Sequence, residues 1–353
     1  MVSENIRTLR IIATFLGFIA AFLVVVILKE LRSIMLPLSV AILLSYILGP
    51  FVEKLTRRKV PMALAMVMVL IAVFILLYLA GVVVYASSNT FIEEFPKYEA
   101  RVKLMITDLL TYLDIPMPQA KEYISQLDWK QALAGLSLPK IISSTLGSLF
   151  GFLGNAAMVI LISMFIIPGM NKIGAKFHRM FGKDRGEMME SMLDKVNAQV
   201  QQYLYIKTLV SLGTGLLFVV FLWIFGVDFP IMWGFIAFVL NYIPTFGSII
   251  ATIPPILVCF VEYGPGMRLL TVGILLIAVQ VVMGNFVEPK IMGRSLNLSP
   301  LIVILSLIFW GWLWGIPGMI LAVPITAALK LTCENVGPLK PIAILMEGRV
   351  GGE

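Results

Sequence analysis

Two short polar runs interrupt apolar sequence and hold the side chains best suited to chemistry. The first is residues 241–248, with Asn241, Tyr242, Pro244, Gly247 and Ser248. Asn241 can both donate and accept hydrogen bonds, and Pro244 and Gly247 open a helix. A new half-helix beginning at Ser248 or Ile249 would present free amides that attract an anionic or oxygen-rich ligand. The second run closes a long apolar stretch and contains Gln280, Asn285, Glu288, Lys290 and Arg294. A carboxylate at such a border, Glu288, is a candidate for proton or cation coupling. Each run has a plainer alternative: a packing kink with Asn241 bonded to a neighbouring carbonyl, and a helix end capped by an ion pair from Glu288 to Lys290 or Arg294. Pro254, Pro255, Gly311, Gly315 and Pro317 mark further expected breaks, with Pro254 and Pro255 interrupting a return helix.

Other chemistry finds little support. No G-x-x-x-x-G-K-[ST] loop is present to cradle a nucleotide. The lone His178 lies in a basic, amphipathic stretch and reads as a surface residue, so no Ser-His-Asp arrangement is credible. Cys259 and Cys333 both sit in apolar sequence, which argues against a disulfide framework or a metal site. The expectation is a protein that is not an enzyme, uses no cofactor or metal and binds no nucleic acid.

The elements that must carry these residues are membrane helices. Of 353 residues, 59% are hydrophobic and 13% charged, against roughly a quarter charged in a soluble domain. A spanning helix needs about 20 residues. Six apolar runs meet that length, at 11–28, 33–52, 60–86, 146–168, 208–227 and 269–287. The first follows Arg7 and Arg10 but leads to no small-x-small site, and reads as a retained span. Two more runs, 232–261 and 299–329, are long enough but broken in the middle, each being one distorted helix or a re-entrant hairpin.

Charge helps to choose between these. The net charge of +7 is concentrated in two loops at +3 each, 52–60 and 169–207, whereas 87–145 carries −1. The first two should be cytoplasmic and the third exterior. A re-entrant 232–261 then keeps Lys290 and Arg294 on the cytoplasmic side, with both termini inside.

The fold class expected is thus an all-α polytopic membrane protein with about six spanning helices, two broken or re-entrant hairpins and a small helical extramembrane segment. Its organisation would be three N-terminal spans (1–86), the exterior segment (87–145), span four (146–168), a cytoplasmic amphipathic segment (169–207), a C-terminal core (208–330) and a cytoplasmic tail (331–353). Within 89–114, Phe91, Phe95, Tyr98, Val102, Met105, Leu109 and Leu113 recur at helical spacing, and 187–205 shows a second such stripe. Trp310, Trp312 and Trp314 suggest interfacial anchoring, and Gly147-x-x-x-Gly151 a weak helix-packing motif.

The run from Trp233 through Asn241-Tyr242-Ile243-Pro244-Thr245-Phe246-Gly247-Ser248 to Pro254-Pro255 resembles the signature of the autoinducer-2 exporter family of bacterial inner-membrane proteins. Glu288-Pro289-Lys290-Ile291-Met292-Gly293-Arg294 with Leu298-Ser299-Pro300, Tyr203-Leu204 with Lys207, and Leu307-Ile308-Phe309-Trp310-Gly311-Trp312 resemble further parts of it. The resemblance implies a multi-pass secondary transporter of the bacterial cell inner membrane, without a cofactor, assembling as a homo-oligomer such as a pentamer. It implies export of autoinducer-2 or a similar small polar compound, with sodium or lithium/proton antiport as the alternative within the family.

Overall fold

The computed structural model describes residues 2–112, 156–170, 179–180, 182–292 and 297–348. The chain gathers into two compact units, one of residues 1–47, 158–200 and 296–353, the other of residues 48–157 and 201–295. Helices α1 (Val2–Glu30), α2 (Arg32–Arg57), α3 (Met62–Tyr112), α4 (Ala156–Met170) and α5 (Lys183–Ile224) are followed by α6 (Pro230–Leu240), α7 (Phe246–Tyr263) and α8 (Met267–Val281). A π-helical turn (Val282–Val287) leads into α9 (Glu288–Met292). Then come α10 (Pro300–Trp314), α11 (Ile316–Asn335) and α12 (Lys340–Met346).

Among the described residues, six helices are long and apolar enough to cross a membrane. Four lie in runs expected to span: Arg32–Arg57, Met62–Ser87, Gly186–Ile224 and Met267–Met292. The other two, Phe246–Tyr263 and Ile316–Asn335, are the second halves of the broken runs. Both broken runs are helical hairpins rather than distorted single helices. In the first, the far end of α7 returns to the loop that leads into α6, where Tyr263 donates to the Gly226 carbonyl at 2.6 Å and the Asp228 amide faces Glu262 at 3.4 Å. In the second, Ser306 on α10 donates to the Ala322 carbonyl on α11 at 3.1 Å and is hydrogen-bonded to Thr326. The structure is that of an all-α polytopic membrane protein.

Several local expectations need correcting. Pro254 and Pro255 do not break the return helix, because α7 runs through both. They cost two backbone hydrogen bonds, but Ala251, Thr252, Pro255, Val258 and Cys259 are buried against neighbours that hold the helix in place. Gly311 likewise lies inside α10, and the break falls at Gly315, whose φ of 72° suits glycine. Pro317 then occupies the first turn of α11, where its missing amide has no helical partner to lose. Trp310 and Trp314 are buried rather than interfacial: the Trp314 indole donates to the Leu28 carbonyl and Arg32 donates to the Trp314 carbonyl, each at 3.2 Å. Trp312 alone of the three is exposed, beneath the Lys29 ammonium. The third span and the helix after it form one continuous helix of 51 residues, with Pro96 in its interior. Gly147 and Gly151 lie outside the described residues, as do His178 and most of 87–145 beyond Tyr112.

In the second unit, α5, α6, α7 and α8 pack with the distal part of α3 around Phe218, Leu222, Met232, Trp233, Cys259, Val272 and Leu276. Phe91 sits among aromatic rings, with Phe229 at 5.5 Å, Tyr98 at 5.8 Å and Trp233 at 6.1 Å between centroids. In lipid such contacts act through close packing rather than escape from water. The hairpin turn shows how tight that packing is: a Cβ at Gly247 would lie 1.8 Å from the Leu240 carbonyl oxygen. Gly247→Val should therefore lower stability by about 3 kcal/mol or more. Thermal melting of the detergent-solubilised protein should show a large loss for this variant and none for Gly17→Ala, a position with no atom within 4 Å.

Candidate functional site

Helix α5 presents Tyr203, Lys207 and Ser211 at successive intervals of four, with Thr208 beside them, so that one face of an apolar helix is polar. Tyr203, Lys207 and Ser211 are all buried. An ammonium cannot remain in apolar surroundings without a partner. Lys207 Nζ finds one in Glu288, at 2.9 Å from Oε1 and 2.8 Å from Oε2. The side chain of Lys207 is 5% exposed and that of Glu288 18%, so the pair is shielded chiefly on the lysine side. Glu288 caps the π-helical turn, a distortion that is frequent at functional sites. It is this distant lysine on α5, not Lys290, that pairs with it.

The turn between α6 and α7 closes against the same face. The Asn241 amide side chain donates to Ser211 Oγ at 3.0 Å, and the Tyr242 hydroxyl donates to Thr208 Oγ1 at 2.8 Å. Thr208 donates in turn to the Leu204 carbonyl at 2.7 Å, completing a short chain of hydrogen bonds. The backbone of the turn is largely satisfied from within, Ile243 donating to Leu240 and Gly247 to Ile243. Thr245 has φ of 61°, which strains a β-branched residue by roughly 1–3 kcal/mol. Close packing of α5 and α6 brings the turn into reach: Cβ atoms at Gly215 and Gly234 would each lie 2.7 Å from the other's carbonyl oxygen.

Other expected site residues fall in three groups. Gln280 reaches the Ser248 carbonyl at 3.4 Å, so these two are brought together at the start of α7. Pro244 is half-buried in the turn itself. Asn285 and Lys290 are exposed and join neither network, and Arg294 lies outside the described residues. Sequence reasoning about the site left out Lys207, Thr208 and Ser211. Their signal was visible, since Lys207, Thr208, Ser211 and Thr214 form a polar stripe at the start of an apolar run.

Together these groups make a buried, charge-neutral ion pair next to hydroxyl and amide groups at a helix break. Such a set can hydrogen-bond a polar, uncharged molecule without leaving a net charge in the apolar interior. Removing one member of the pair should be far more damaging than removing both. Lys207→Met is expected to destabilise the protein by about 3–5 kcal/mol, and Lys207→Met with Glu288→Gln to recover most of that. Thermal unfolding of the single and double variants in detergent would measure the difference.

The family model of the AI-2E family transporters matches residues 12–336. A Haemophilus influenzae protein named for transport without a substrate is 30% identical over 334 residues, covering 93% of this chain and 94% of its own length. The Escherichia coli protein YhhT, also named only for transport, is 30% identical over 318 residues, or 89% of this chain and 88% of its own. TqsA of Escherichia coli K12, named as an AI-2 transport protein, is 33% identical over 324 residues, or 89% of each chain. With a family match over nearly all of its length and relatives of this identity, the chain belongs to the AI-2E family of transporters.

Proposed function

We propose that this transporter is a secondary exporter of a small, uncharged, hydroxyl-rich molecule, autoinducer-2 or a close chemical relative, across the bacterial inner membrane. The observation that carries this reading is the bonding of Asn241 and Tyr242 at the strained hairpin turn to Ser211 and Thr208, beside the Lys207–Glu288 pair. A neutral polyol can exchange its hydroxyls for these hydrogen bonds one at a time, so no step leaves a bare charge in the membrane. Asn241, Tyr242 and Ser248 line the path in this reading, with Gln280 and Asn285 at its mouth. Glu288 gates the path by holding or releasing Lys207. TqsA's name supports the choice of compound, and the polar character of the site supports its class. The working unit is a homo-oligomer in the lipid bilayer, with both termini cytoplasmic and residues 87–145 outside.

Sodium or lithium/proton antiport with Glu288 as the titrating group is the competing reading. It fits less well because both Glu288 oxygens already face the Lys207 ammonium, leaving no free carboxylate to take a cation in its place.

Transport by the purified protein in liposomes distinguishes the two. Labelled autoinducer-2 should cross, and Asn241→Ala should slow it about tenfold, the effect of losing roughly one buried hydrogen bond. Glu288→Gln should slow it as well, since Lys207 then loses its counter-ion. Sodium flux under an imposed proton gradient, with no movement of the labelled compound, would overturn the proposal.

A further inference from the structure

A second polar cluster lies at the opposite end of the same hairpin and plays no part in the site above. Tyr98, buried on the distal part of α3, donates its hydroxyl to Asp228 Oδ2 at 2.8 Å and lies 3.2 Å from Glu262 Oε1. The Asp228 amide faces Glu262 Oε2 at 3.4 Å, so the two carboxyl groups converge on one another around a single hydroxyl. One phenolic proton cannot serve two anions at full strength, and two carboxyl groups crowded around one donor favour the form in which one of them keeps its proton.

Among the described residues no cation is bonded directly to either carboxyl group. Arg101, exposed on α3, donates at 2.5 Å to the backbone carbonyl of Glu262, not to its carboxylate. Lys97 lies over the Tyr98 ring at 5.8 Å and pairs with Glu94 at 3.5 Å. On the α7–α8 side, Arg268 stacks on Tyr263 at 4.0 Å. Cys259 lies a turn before Glu262 and is fully buried. Among the described residues no salt bridge reaches either carboxylate.

We propose that Tyr98, Asp228 and Glu262 form a proton-operated clasp, which holds the distal part of α3 against the mouth of the first hairpin while the two carboxyls share one proton and releases it when that proton is lost. The clasp joins three separate elements, and beside it Met105 of α3 comes within 3.5 Å of the Cβ position of Gly264. The Asp228 carboxyl is held below the ordinary carboxylate range, first by the Glu262 carboxyl beside it, against the effect of burial, and then by Tyr98, Lys97 and Arg101. Asp228 is accordingly the ionised member, and Glu262 the proton donor. The sign follows: the clasp is at full strength while the pair retains its last proton and weakens as pH rises through the loss of that proton, when two anions face one hydroxyl.

The test uses the full-length protein in lipid nanodiscs, with spin labels at Leu104→Cys and Met267→Cys, both exposed, and with Cys333→Ser. Buried Cys259 is left in place. Spin–spin broadening should be strong at about pH 5 and fall at least twofold by about pH 9 in a one-proton transition. Glu262→Gln should keep the broadening at the higher pH, because its amide donates to Asp228 without a titratable proton. Asp228→Asn should do the same from the other side, and serves if the first variant fails to insert. Broadening that is unchanged by pH in the parent protein, or a transition that survives both substitutions, would overturn the proposal.

Discussion

An ammonium group placed in the apolar face of a membrane-crossing helix must be met by a counter-charge, and the way Lys207 is met arranges much of the second unit. Its partner Glu288 lies 81 residues away, at the end of the π-helical turn, so the bond draws the end of α8 to the beginning of the apolar part of α5. The hairpin of α6 and α7 is then placed with its turn at this end, where Thr208 and Ser211 offer acceptors to Tyr242 and Asn241. A helix that turns back inside lipid has to find such acceptors, because water is not available to supply them. The polar stripe of α5 supplies them while remaining neutral as a whole.

The two hairpins solve the same problem with different material. The first borrows its hydrogen bonds from a neighbouring helix. The second supplies them across its own arms, through Ser306, Ala322 and Thr326, and its turn is held by the elbow between α1 and α2 through Leu28 and Arg32. Gly318 repeats the role of Gly247, its Cβ position lying 2.0 Å from the Trp310 carbonyl oxygen. The first turn is thus bonded to one neighbouring helix, whereas the second hairpin is bonded both across its own arms and to the α1–α2 elbow.

What was legible in the sequence was whatever depends on neighbouring residues. The hairpins showed themselves because Asn241 to Ser248 and Gly315 to Pro317 interrupt apolar runs, leaving half-segments such as the 11 residues of α6 that are too short to span. Asn241 and Tyr242 could be singled out because a polar group in such a place needs a partner. The partners themselves were not legible: Lys207 could be matched to a family feature, but not to Glu288, 81 residues away, until the fold brought the two together. Tyr98, Asp228 and Glu262 belong to three elements, and no local pattern connects them. The third span ends where the sequence placed it, but its continuity with the helix beyond was not legible, for a different reason. Ser87, Ser88 and Asn89 change the composition from apolar to polar, but backbone hydrogen bonding does not depend on that change, and α3 continues through it.

That continuity gives the molecule a mechanical property. At about 1.5 Å per residue, α3 is roughly 77 Å long, whereas the hydrocarbon of a bilayer is about 30 Å thick. The 25 residues after Ser87 thus form an arm of about 37 Å that is continuous with a helix embedded in lipid. A tilt of about 10° in the embedded part would displace a point about 37 Å along a straight arm by about 6 Å, and Phe91 and Tyr98, packed in the second unit, would have to move with it. A displacement small within the membrane is thereby enlarged along the rod, and Pro96, which leaves one helical hydrogen bond unmade, is the point at which α3 can bend and absorb part of it.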